Sequence, residues 1–266
     1  MLHVISLGAG VQSSTLALMF ATGELSPMPD CAIFSDTGAE PRAVYEWLDW
    51  LEAQLPFPVY RIMKAEGLRQ NIIDSIAGAR FAGAPFFTES QSSDGGQLRR
   101  QCTREFKVEP ITKKLRELVG LKYRERAPRE ILVTQYIGIS YDEMIRMKPS
   151  HEHWIEHKWP LVDLGMRRLD CLQWMDRHGY PRPPRSACTF CPYHSDDEWK
   201  RLKESPADWN AAVEIDELIR NGVRGTTEKL YFHRSLKPLT EVDFSSPEDM
   251  GQQNLFGAEC EGMCGV

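Results

Sequence analysis

The sequence predicts an α/β fold with a doubly wound, mostly parallel sheet and a C-terminal helical extension that contains cysteines. Three observations predict it: short apolar runs alternate with segments of helical periodicity, the first apolar run ends in a glycine turn, and a Cys-x-x-Cys pair follows the alternating part. Strands that alternate with helices form parallel sheets covered on both faces. We expect an α/β domain over 1–165, a helical region over 166–240 and a flexible tail over 241–266.

Each element in the first half follows from its apolar pattern. The strands are apolar runs bounded by turn residues, and the helices carry an apolar stripe such as Trp47, Leu48 and Leu51. The polar, glycine-rich stretch 81–100 has no period and predicts a long loop. The pattern gives strands over 2–7, 31–35 and 59–63 and helices over 13–20, 41–54 and 68–76.

The second half continues the alternation and then becomes helical. A strong apolar run over 131–139 predicts another strand, and three prolines make 179–186 a rigid connector to the Cys-x-x-Cys pair. The remaining elements are a helix over 108–119, a strand over 154–162 and helices over 169–178, 195–202 and 206–220.

Composition places the chain among globular proteins. Of its 266 residues, 42% are hydrophobic, and the formal net charge is −6 at pH 7. No apolar run approaches the roughly 20 residues that a membrane helix needs, and the first residues do not resemble a signal peptide. We therefore expect a cytoplasmic protein without a membrane partner.

Positive charge is concentrated in one segment. Between positions 98 and 130, eleven Lys and Arg stand against five Glu in an otherwise acidic chain. Such a segment indicates a site for an anion. A solvated helix face is the alternative, because Lys113, Lys114 and Arg116 lie on a predicted amphipathic helix.

Cysteine usage favours metal or redox chemistry. The chain has seven cysteines, which is an odd number. Thiols stay reduced in the cytoplasm, where we expect this protein. Two residues separate Cys188 from Cys191, a spacing that lets both sulfurs face one metal, and the remote Cys102 can join them. Structural zinc and a redox dithiol are the alternatives.

A glycine turn after the first strand predicts a cradle for phosphate or sulfate. Gly8 and Gly10 allow close backbone approach, the following helix presents its N–H groups, and the hydroxyls of Ser13 and Ser14 are additional donors. The stretch lacks the lysine of the P-loop and the third glycine of the dinucleotide fingerprint. A plain tight turn is the alternative.

The stretch 6–15 resembles the modified loop of phosphoadenosine phosphosulfate (PAPS) reductases, within the adenine-nucleotide-binding PP-loop superfamily. The pyrophosphatases of that superfamily usually carry Asp at the position of Gln12. The reductases are similar to this chain in having Gln there. The resemblance covers roughly residues 2–200. Similar motifs follow in the same order: Asp36-Thr37-Gly38 with Glu40 and Pro41, Cys102 with Lys107, Val108 and Pro110, 138–143 with Arg146, Trp159-Pro160-Leu161, and the cysteine pair.

The resemblance implies an adenine nucleotide alpha hydrolase-like fold, with the nucleotide across the carboxyl ends of the strands. It assigns the phosphates to the first loop and the ribose or adenine to Asp36 and Thr37, although Asp36 also suits a helix N-cap. Arg99, Arg100 and Lys107 would form the positive wall. The implied nucleotide-binding set is Ser6, Gly8, Gly10, Gln12, Ser13, Ser14, Asp36, Thr37, Gly38, Gly138 and Arg146.

The resemblance also implies an iron–sulfur cluster. Iron–sulfur members of the superfamily hold a [4Fe-4S] cluster at positions similar to Cys102, Cys188 and Cys191. Adenylylsulfate reductases carry two adjacent cysteines where this chain has Gln101-Cys102, which leaves the fourth ligand open. The candidates are Cys171, a tail cysteine and an open iron that binds substrate sulfur.

The tail is similar to the terminal Glu-Cys-Gly segment of the reductases. There a mobile cysteine attacks the activated sulfur and forms a thiosulfonate, a role that the resemblance gives to Cys260. The second tail cysteine, Cys264, and the residues after Cys260 differ from the family pattern. A tail that supplies a cluster ligand, or has no role, is the alternative.

The resemblance implies an enzyme that binds ATP or an adenylated sulfate (PAPS or APS) and reduces or transfers activated sulfur. Arg99, Arg100 and Lys107 would stabilise charge, and Cys260 would be the nucleophile. One alternative is ATP-dependent sulfur insertion into tRNA or DNA, which the basic segment favours and Gln12 disfavours. The other is a non-catalytic nucleotide-binding module with structural zinc. Expected partners are the nucleotide and either a thiol electron donor or nucleic acid; a homo-oligomer is left open.

Overall fold

The computed structural model describes residues 1–89, 96–122 and 124–245. Within these residues five parallel strands form a central sheet, and three short strands form an antiparallel sheet. The strands are β1 (Leu2–Leu7), β2 (Cys31–Asp36), β3 (Val59–Met63), β4 (Phe87–Thr88), β5 (Gly96–Gln97), β6 (Val133–Ile137), β7 (Ile155–Lys158) and β8 (Leu230–Tyr231).

The central sheet has the strand order β3-β2-β1-β6-β7, which confirms the predicted α/β fold with a parallel sheet. The chain builds outward from β1 on one side and later adds strands on the other side, so the strand order reverses at β1. Ser6 of β1 is in register with Ile33 of β2 and Ile137 of β6. The residues that follow these three strands therefore share one edge of the sheet.

Helices cover both faces of this sheet. Helix α1 is almost entirely buried and packs against α6. The helices are α1 (Val11–Ala21), α2 (Arg42–Gln54), α3 (Gly67–Ile76), α4 (Glu109–Leu118), α5 (Pro160–Asp163), α6 (Arg168–Arg177), α7 (Asp196–Lys203) and α8 (Pro206–Leu218). No helix among the described residues has the length and apolar character that crossing a membrane requires.

Two apolar clusters bury the two faces of the sheet. One packs α1, α2 and α6 against Ile5 and Phe34, and the other packs α4 against Val4, Ile33 and Val133. A third cluster lies among α3, α7, α8 and β8, and side chains of the cysteine-containing region pack against it. The helical extension is therefore attached to the edge of the α/β domain by its own apolar core.

Several details differ from the sequence prediction. The stretch predicted as a loop over 81–100 holds β4 and β5, which pair with each other, and β4 pairs with β8. Two-residue strands carry no alternation that a sequence could show. The predicted strand 154–162 ends at Lys158, because Pro160 begins α5.

The chain remains packed beyond the predicted start of the tail at 241. Val242 and Phe244 are buried, and the Phe244 ring lies near the rings of Trp199 and Trp209. The rest of the predicted tail, 246–266, lies outside the described residues, and Cys260 and Cys264 lie there too.

The connection from β6 to β7 contains a short 3-10 segment, Tyr141–Arg146, and then irregular chain over 147–154. A longer helix in this crossover would cover one face of the two strands. Here α4 and the irregular segment instead flank a cavity that is lined by side chains of β6 and β7.

Candidate active site

A large cavity opens at the carboxyl edge of the central sheet. Its volume is about 1510 Å³. The residues after β1, β2 and β6, the start of α4, and the chain over 185–193 line it. Ligands of open α/β sheets bind at this edge, next to the point where the strand order reverses. The cavity is therefore the candidate site.

The loop between β1 and α1 presents backbone to this cavity. Ala9 has a φ of 55°, a left-handed conformation that non-glycine residues rarely adopt and that functional sites often contain. Gly10 then begins α1 without a side-chain cap on the first helical N–H groups. Gly8, Gly10 and Ser13 line the cavity. Uncapped N–H groups at the positive end of a helix favour an anion.

Gly138 lets the chain after β6 lie directly against the first turn of α1, which follows this loop. A Cβ atom at position 138 would lie 2.6 Å from Ser13 Cα and 2.7 Å from Ser13 N. Real Cβ atoms essentially never approach backbone so closely, so any side chain at Gly138 would displace the loop. The predicted site glycine is thus required by packing.

The Gln12 side chain joins the loop to charged groups of the cavity. Its amide nitrogen donates to Ser140 Oγ and Glu143 Oε2, each at 3.3 Å. Its oxygen accepts from Arg168 Nη1 at 3.1 Å. Glu143 also pairs with Arg146 at 2.7 Å. The amide therefore suits its position, because it donates to a carboxylate and accepts from a guanidinium at once.

A buried polar cluster at the end of β2 holds Cys188. Thr37 Oγ1 donates to Glu40 Oε1 at 3.1 Å and lies 3.2 Å from Cys188 Sγ. The same Glu40 oxygen lies 4.0 Å from Cys188 Sγ and 3.8 Å from Lys107 Nζ. The Glu40 side chain is 0% exposed, so its charge acts on the thiol with little screening by water.

This cluster keeps the Cys188 thiol protonated. Burial raises the pKa of Cys188 well above its ordinary range, and the Glu40 carboxylate raises it further, whereas the Lys107 ammonium lowers it. A protonated thiol is a weak nucleophile and a weak metal ligand near neutral pH. The reactivity of Cys188 is therefore limited first by burial, and the charges of Glu40 and Lys107 adjust it in opposite directions.

The turn from Cys188 to Cys191 is anchored to the sheet. Cys191 N donates to Cys188 O at 3.0 Å, and Thr189 N donates to Ala39 O at 2.7 Å. His194 Nε2 lies 2.8 Å from Cys188 O. These hydrogen bonds fix the turn beside the end of β2, with both cysteines in the wall of the cavity.

The three predicted metal ligands, Cys102, Cys188 and Cys191, line the same cavity. Among the described residues, however, no three His, Cys, Asp or Glu side chains are grouped so that they could hold a metal ion. Cys188 instead contacts Thr37 and Glu40. The arrangement as it stands does not fit a [4Fe-4S] cluster or zinc, and the cluster stays a prediction from the resemblance.

The other two cysteines of the described part of the chain lie in the core. Cys171 of α6 is fully buried, and burial raises its pKa to about 12. Burial also raises the pKa of Cys31 to about 11. Neither lines the cavity, so Cys171 is not placed to serve as a fourth ligand there.

Most of the predicted site residues come together in the cavity, including the glycine loop, the cysteines and two of the three cations assigned to the positive wall. The shared edge of β1, β2 and β6 brings the glycine loop, Thr37 and Gly138 together, and the chain before α4 and over 185–193 adds the cations and the cysteines. The predicted residues that line it are Ser6, Gly8, Gly10, Gln12, Ser13, Thr37, Arg100, Cys102, Lys107, Gly138, Arg146, Cys188 and Cys191.

Four of the predicted residues that the structure describes do not line the cavity: Ser14, Asp36, Gly38 and Arg99. Ser14 is fully buried, and its Oγ accepts from the indole N–H of Trp47 at 2.9 Å. Asp36 Oδ1 accepts from Gly38 N at 2.7 Å, which closes the turn after β2. Ser14 and Asp36 thus support the fold around the site, and the Arg99 side chain is exposed.

Two arginines of the cavity wall lie outside both the predicted site residues and the basic segment 98–130. Arg168 begins α6 and reaches Gln12, which lies 156 positions earlier in the chain. Arg185 lies in the proline-rich connector and pairs with the buried carboxylate of Glu198. No local motif marks Arg168. The rigid connector beside the cysteine pair was the signal that could have pointed to Arg185.

No protein-family model and no curated protein matches this chain. Among solved structures, it is similar to PAPS reductase from Candida auris in a phosphate complex, at 14% identity and a TM-score of 0.43, over 68% of this chain and 74% of that chain. It is also similar to the U34-tRNA thiolase NcsA from Methanococcus maripaludis with its [4Fe-4S] cluster, at 11% identity and a TM-score of 0.38, over 82% and 72%. Identities and TM-scores this low do not show which reaction this protein carries out, so the reaction has to be inferred from the residues of this chain. A PAPS reductase, the family that the motifs resemble, is thus among the solved structures similar to this protein.

Proposed function

We propose that this protein is an enzyme that binds an adenine nucleotide, either ATP or an adenylated sulfate, and reduces or transfers activated sulfur. One observation carries the proposal: the glycine loop and three cysteines, Cys102, Cys188 and Cys191, line one cavity. An anion cradle beside thiols is what sulfur chemistry on a nucleotide requires.

The nucleotide phosphates would lie against the uncapped start of α1. Arg100, Lys107 and Arg146 line the cavity around it, and Arg168 and Arg185 add to the same positive wall. Guanidinium groups suit bidentate binding of phosphate or sulfate oxygens. Their second role is to stabilise the charge that develops on the departing phosphate.

For an adenylated sulfate the balanced reaction uses two thiols. A thiolate attacks the sulfur, the bond from sulfur to the bridging phosphate oxygen breaks, and the nucleotide leaves. A second thiol, from a dithiol donor, then attacks the cysteine sulfur and releases sulfite, which leaves one disulfide and a sulfur atom reduced by two electrons. Cys260 is the predicted first nucleophile, and Cys188 lies in the wall beside the phosphate loop.

The test uses the full-length protein, purified without oxygen and incubated with PAPS and a dithiol. We expect sulfite and adenosine 3′,5′-bisphosphate in equal amounts. Cys260→Ser should abolish sulfite release, whereas Cys171→Ala, a change at a core cysteine, should leave the rate per folded molecule unchanged. Nucleotide binding without either product would contradict the proposal and favour a binding module.

Iron, labile sulfide and zinc in the same preparation test the cluster. Iron with sulfide would support three-cysteine ligation, which would require Cys188 to leave Thr37 and Glu40. A colourless protein without iron would remove the cluster from the proposal and leave the thiol chemistry.

A second candidate is ATP-dependent sulfur insertion into nucleic acid. Basic residues of the segment 98–130, including Lys113 and Arg116, line the cavity, which favours a second, phosphate-bearing substrate. Pyrophosphate release from ATP that depends on added nucleic acid would support this candidate, and thiol-dependent sulfite from PAPS would support the first.

A further inference from the structure

The cavity extends well beyond the proposed phosphate site. Its volume of about 1510 Å³ exceeds the roughly 300–1,000 Å³ of a pocket for one small ligand. Thr37 and the cysteines lie at the β2 side, and the remaining space lies over β6 and β7, on the other side of β1. We call this space the β6–β7 arm; it is lined by Gln135, Ile137, Ile155, His157 and Trp159.

Two polar groups of the arm make no hydrogen bond to any residue that the structure describes. The Gln135 side chain is 7% exposed, faces the cavity, and makes no hydrogen bond to another side chain or backbone group of the described residues. The indole N–H of Trp159 is buried and likewise has no partner in the described part of the chain. Buried polar groups are nearly always paired in folded proteins. The buried Trp159 N–H therefore points to a ligand that supplies its partner, and the Gln135 amide, which is open to the cavity, can contact the same ligand.

His157 adds an acceptor to the arm. Its Nδ1 lies 2.9 Å from Lys148 O, and burial lowers the pKa of the imidazole, so the neutral ring donates from Nδ1. Nε2 is then an acceptor. The His157 and Trp159 rings lie 6.1 Å apart at 87°, and Ile137 and Ile155 supply apolar surface beside them.

Exposed cations border the arm. Lys113 of α4 and Lys148 of the irregular segment line the cavity, and both are exposed. Acidic neighbours are engaged elsewhere: Glu117 pairs with Lys114 at 2.7 Å, and Glu152 accepts from the Trp154 indole N–H at 2.8 Å. The ammonium groups are therefore available to phosphates at the edge of an apolar slot.

We propose that the β6–β7 arm binds an unpaired base of a single-stranded nucleic acid, with Lys113 and Lys148 contacting the flanking phosphates. An amide, an acceptor nitrogen and aromatic rings are the groups that read and stack an exposed base. This inference rests on the second candidate function, because it makes the strand the second substrate beside the adenine nucleotide.

Binding of two labelled strands to the full-length protein tests the proposal. Both are about twelve nucleotides long; one carries bases and the other has abasic sites throughout. We expect the base-bearing strand to bind at least about tenfold more tightly, since stacking and edge contacts are lost in the abasic strand. Equal affinity for the two strands would overturn the proposal without any variant.

Variants then separate the base contact from the phosphate contacts. Gln135→Leu, checked for folding by thermal melting, should remove most of the preference for bases. Lys113→Gln combined with Lys148→Gln should weaken both strands and lower the slope of log affinity against log salt by about 1.4, which is about 0.7 for each phosphate. The matched control combines Lys229→Gln with Lys237→Gln, two exposed lysines that do not line the cavity. This double variant should change neither the affinity for the strands nor the slope against salt.

Calorimetry with ATP and PAPS on the same proteins distinguishes the two claims. Gln135→Leu should bind both nucleotides like the wild type. A loss of nucleotide affinity equal to the loss of strand affinity would show that the arm belongs to the nucleotide site. Competition by free nucleoside monophosphates as strong as competition by the strand would show that the arm binds a free nucleotide. Either result overturns this inference. A base preference in a protein that binds neither ATP nor PAPS would overturn the proposed function and leave the arm as a strand site.

Discussion

The two ends of the cavity are built in opposite ways. At the β2 end, Thr37, Glu40 and Cys188 bond to one another, and Lys107 lies beside them. In the β6–β7 arm, Gln135 has no such partner within the described residues. A group that is already paired is fixed before a ligand arrives, and its chemistry is controlled by protein charges. A group without a partner gains one from the ligand, so we expect reactivity at the first end and recognition at the second.

Gly138→Ala should have the largest effect, because it acts on the loop between the two ends. The new Cβ would lie 2.6 Å from Ser13 Cα, so the loop must move. Overpacking of this kind costs about 1–3 kcal/mol. We expect the free energy of unfolding to fall by that amount in urea titrations and the affinity for ATP to fall at least tenfold, about 1.4 kcal/mol, by calorimetry.

Gly120→Ala is the matched control for this change. Gly120 has a φ of 76° and open space around it, so alanine there should cost about 1–2 kcal/mol of stability through backbone strain alone. Its ATP affinity should stay at the wild-type value. Unchanged affinity in Gly138→Ala would mean that the loop does not hold the phosphates.

Gln12→Glu tests the amide between the loop and the arginines. A carboxylate at this position would face Glu143, which now accepts from the Gln12 amide at 3.3 Å, and would compete with phosphate for Arg168. We expect about tenfold weaker binding of ATP and PAPS by calorimetry. Adding Glu143→Gln should recover most of the loss. Gln173→Glu, on the exposed face of α6, is the control, and an equal loss there would contradict the local explanation.

The central strands and the glycine loop could be predicted from the sequence because their signals are local. Runs such as 2–7 and 31–35 are continuously apolar, and the turn residues that follow them mark where the strands end. The shared edge of β1, β2 and β6 then brings together the predicted residues that follow these strands. The sequence predicted the cavity wall wherever a residue directly follows one of these strands.

The remaining residues depend on contacts that no local pattern encodes. The sequence predicts a hydroxyl donor at Ser14, but its Oγ instead accepts from Trp47, which lies 33 positions away. Gln135 lies inside an apolar strand run, and only the open face of β6 and β7 shows that its amide faces a cavity. The strands β4 and β8 are short, and they pair across 142 positions between Thr88 and Leu230. Tertiary contacts determine all three.

Charge changes around Cys188 should alter its alkylation in opposite directions. Glu40 raises the pKa of this thiol and Lys107 lowers it, so Glu40→Gln should increase the thiolate fraction and Lys107→Gln should decrease it. We expect several-fold faster and slower labelling by iodoacetamide at about pH 8, because the thiolate is the reacting form. Mass spectrometry of the Cys188 peptide measures the rates.

Glu46→Gln is the control for Cys188 labelling, because Glu46 is an exposed carboxylate that pairs with Arg42 on the surface of α2. Its labelling rate should equal that of the wild type. A shift in the same direction for Glu40→Gln and Lys107→Gln would indicate altered access in place of altered charge. Such a result would remove the contrast between a charge-controlled end and an open arm.

The smallest expected effect concerns the pH dependence of the arm. Burial lowers the pKa of His157 from its ordinary 6.5, so the folded state binds this proton less readily than the unfolded state. The contribution to stability is present above about pH 6.5 and is lost as the pH falls towards the folded pKa. Between about pH 7.5 and pH 5.5 the wild-type melting temperature should therefore fall more than that of His157→Gln. His153→Gln, at an exposed histidine, should follow the wild type. Identical profiles for all three proteins would show that the fold does not lower the pKa of His157, and its imidazole would then bind a proton below about pH 6.5, where an acceptor at Nε2 is expected.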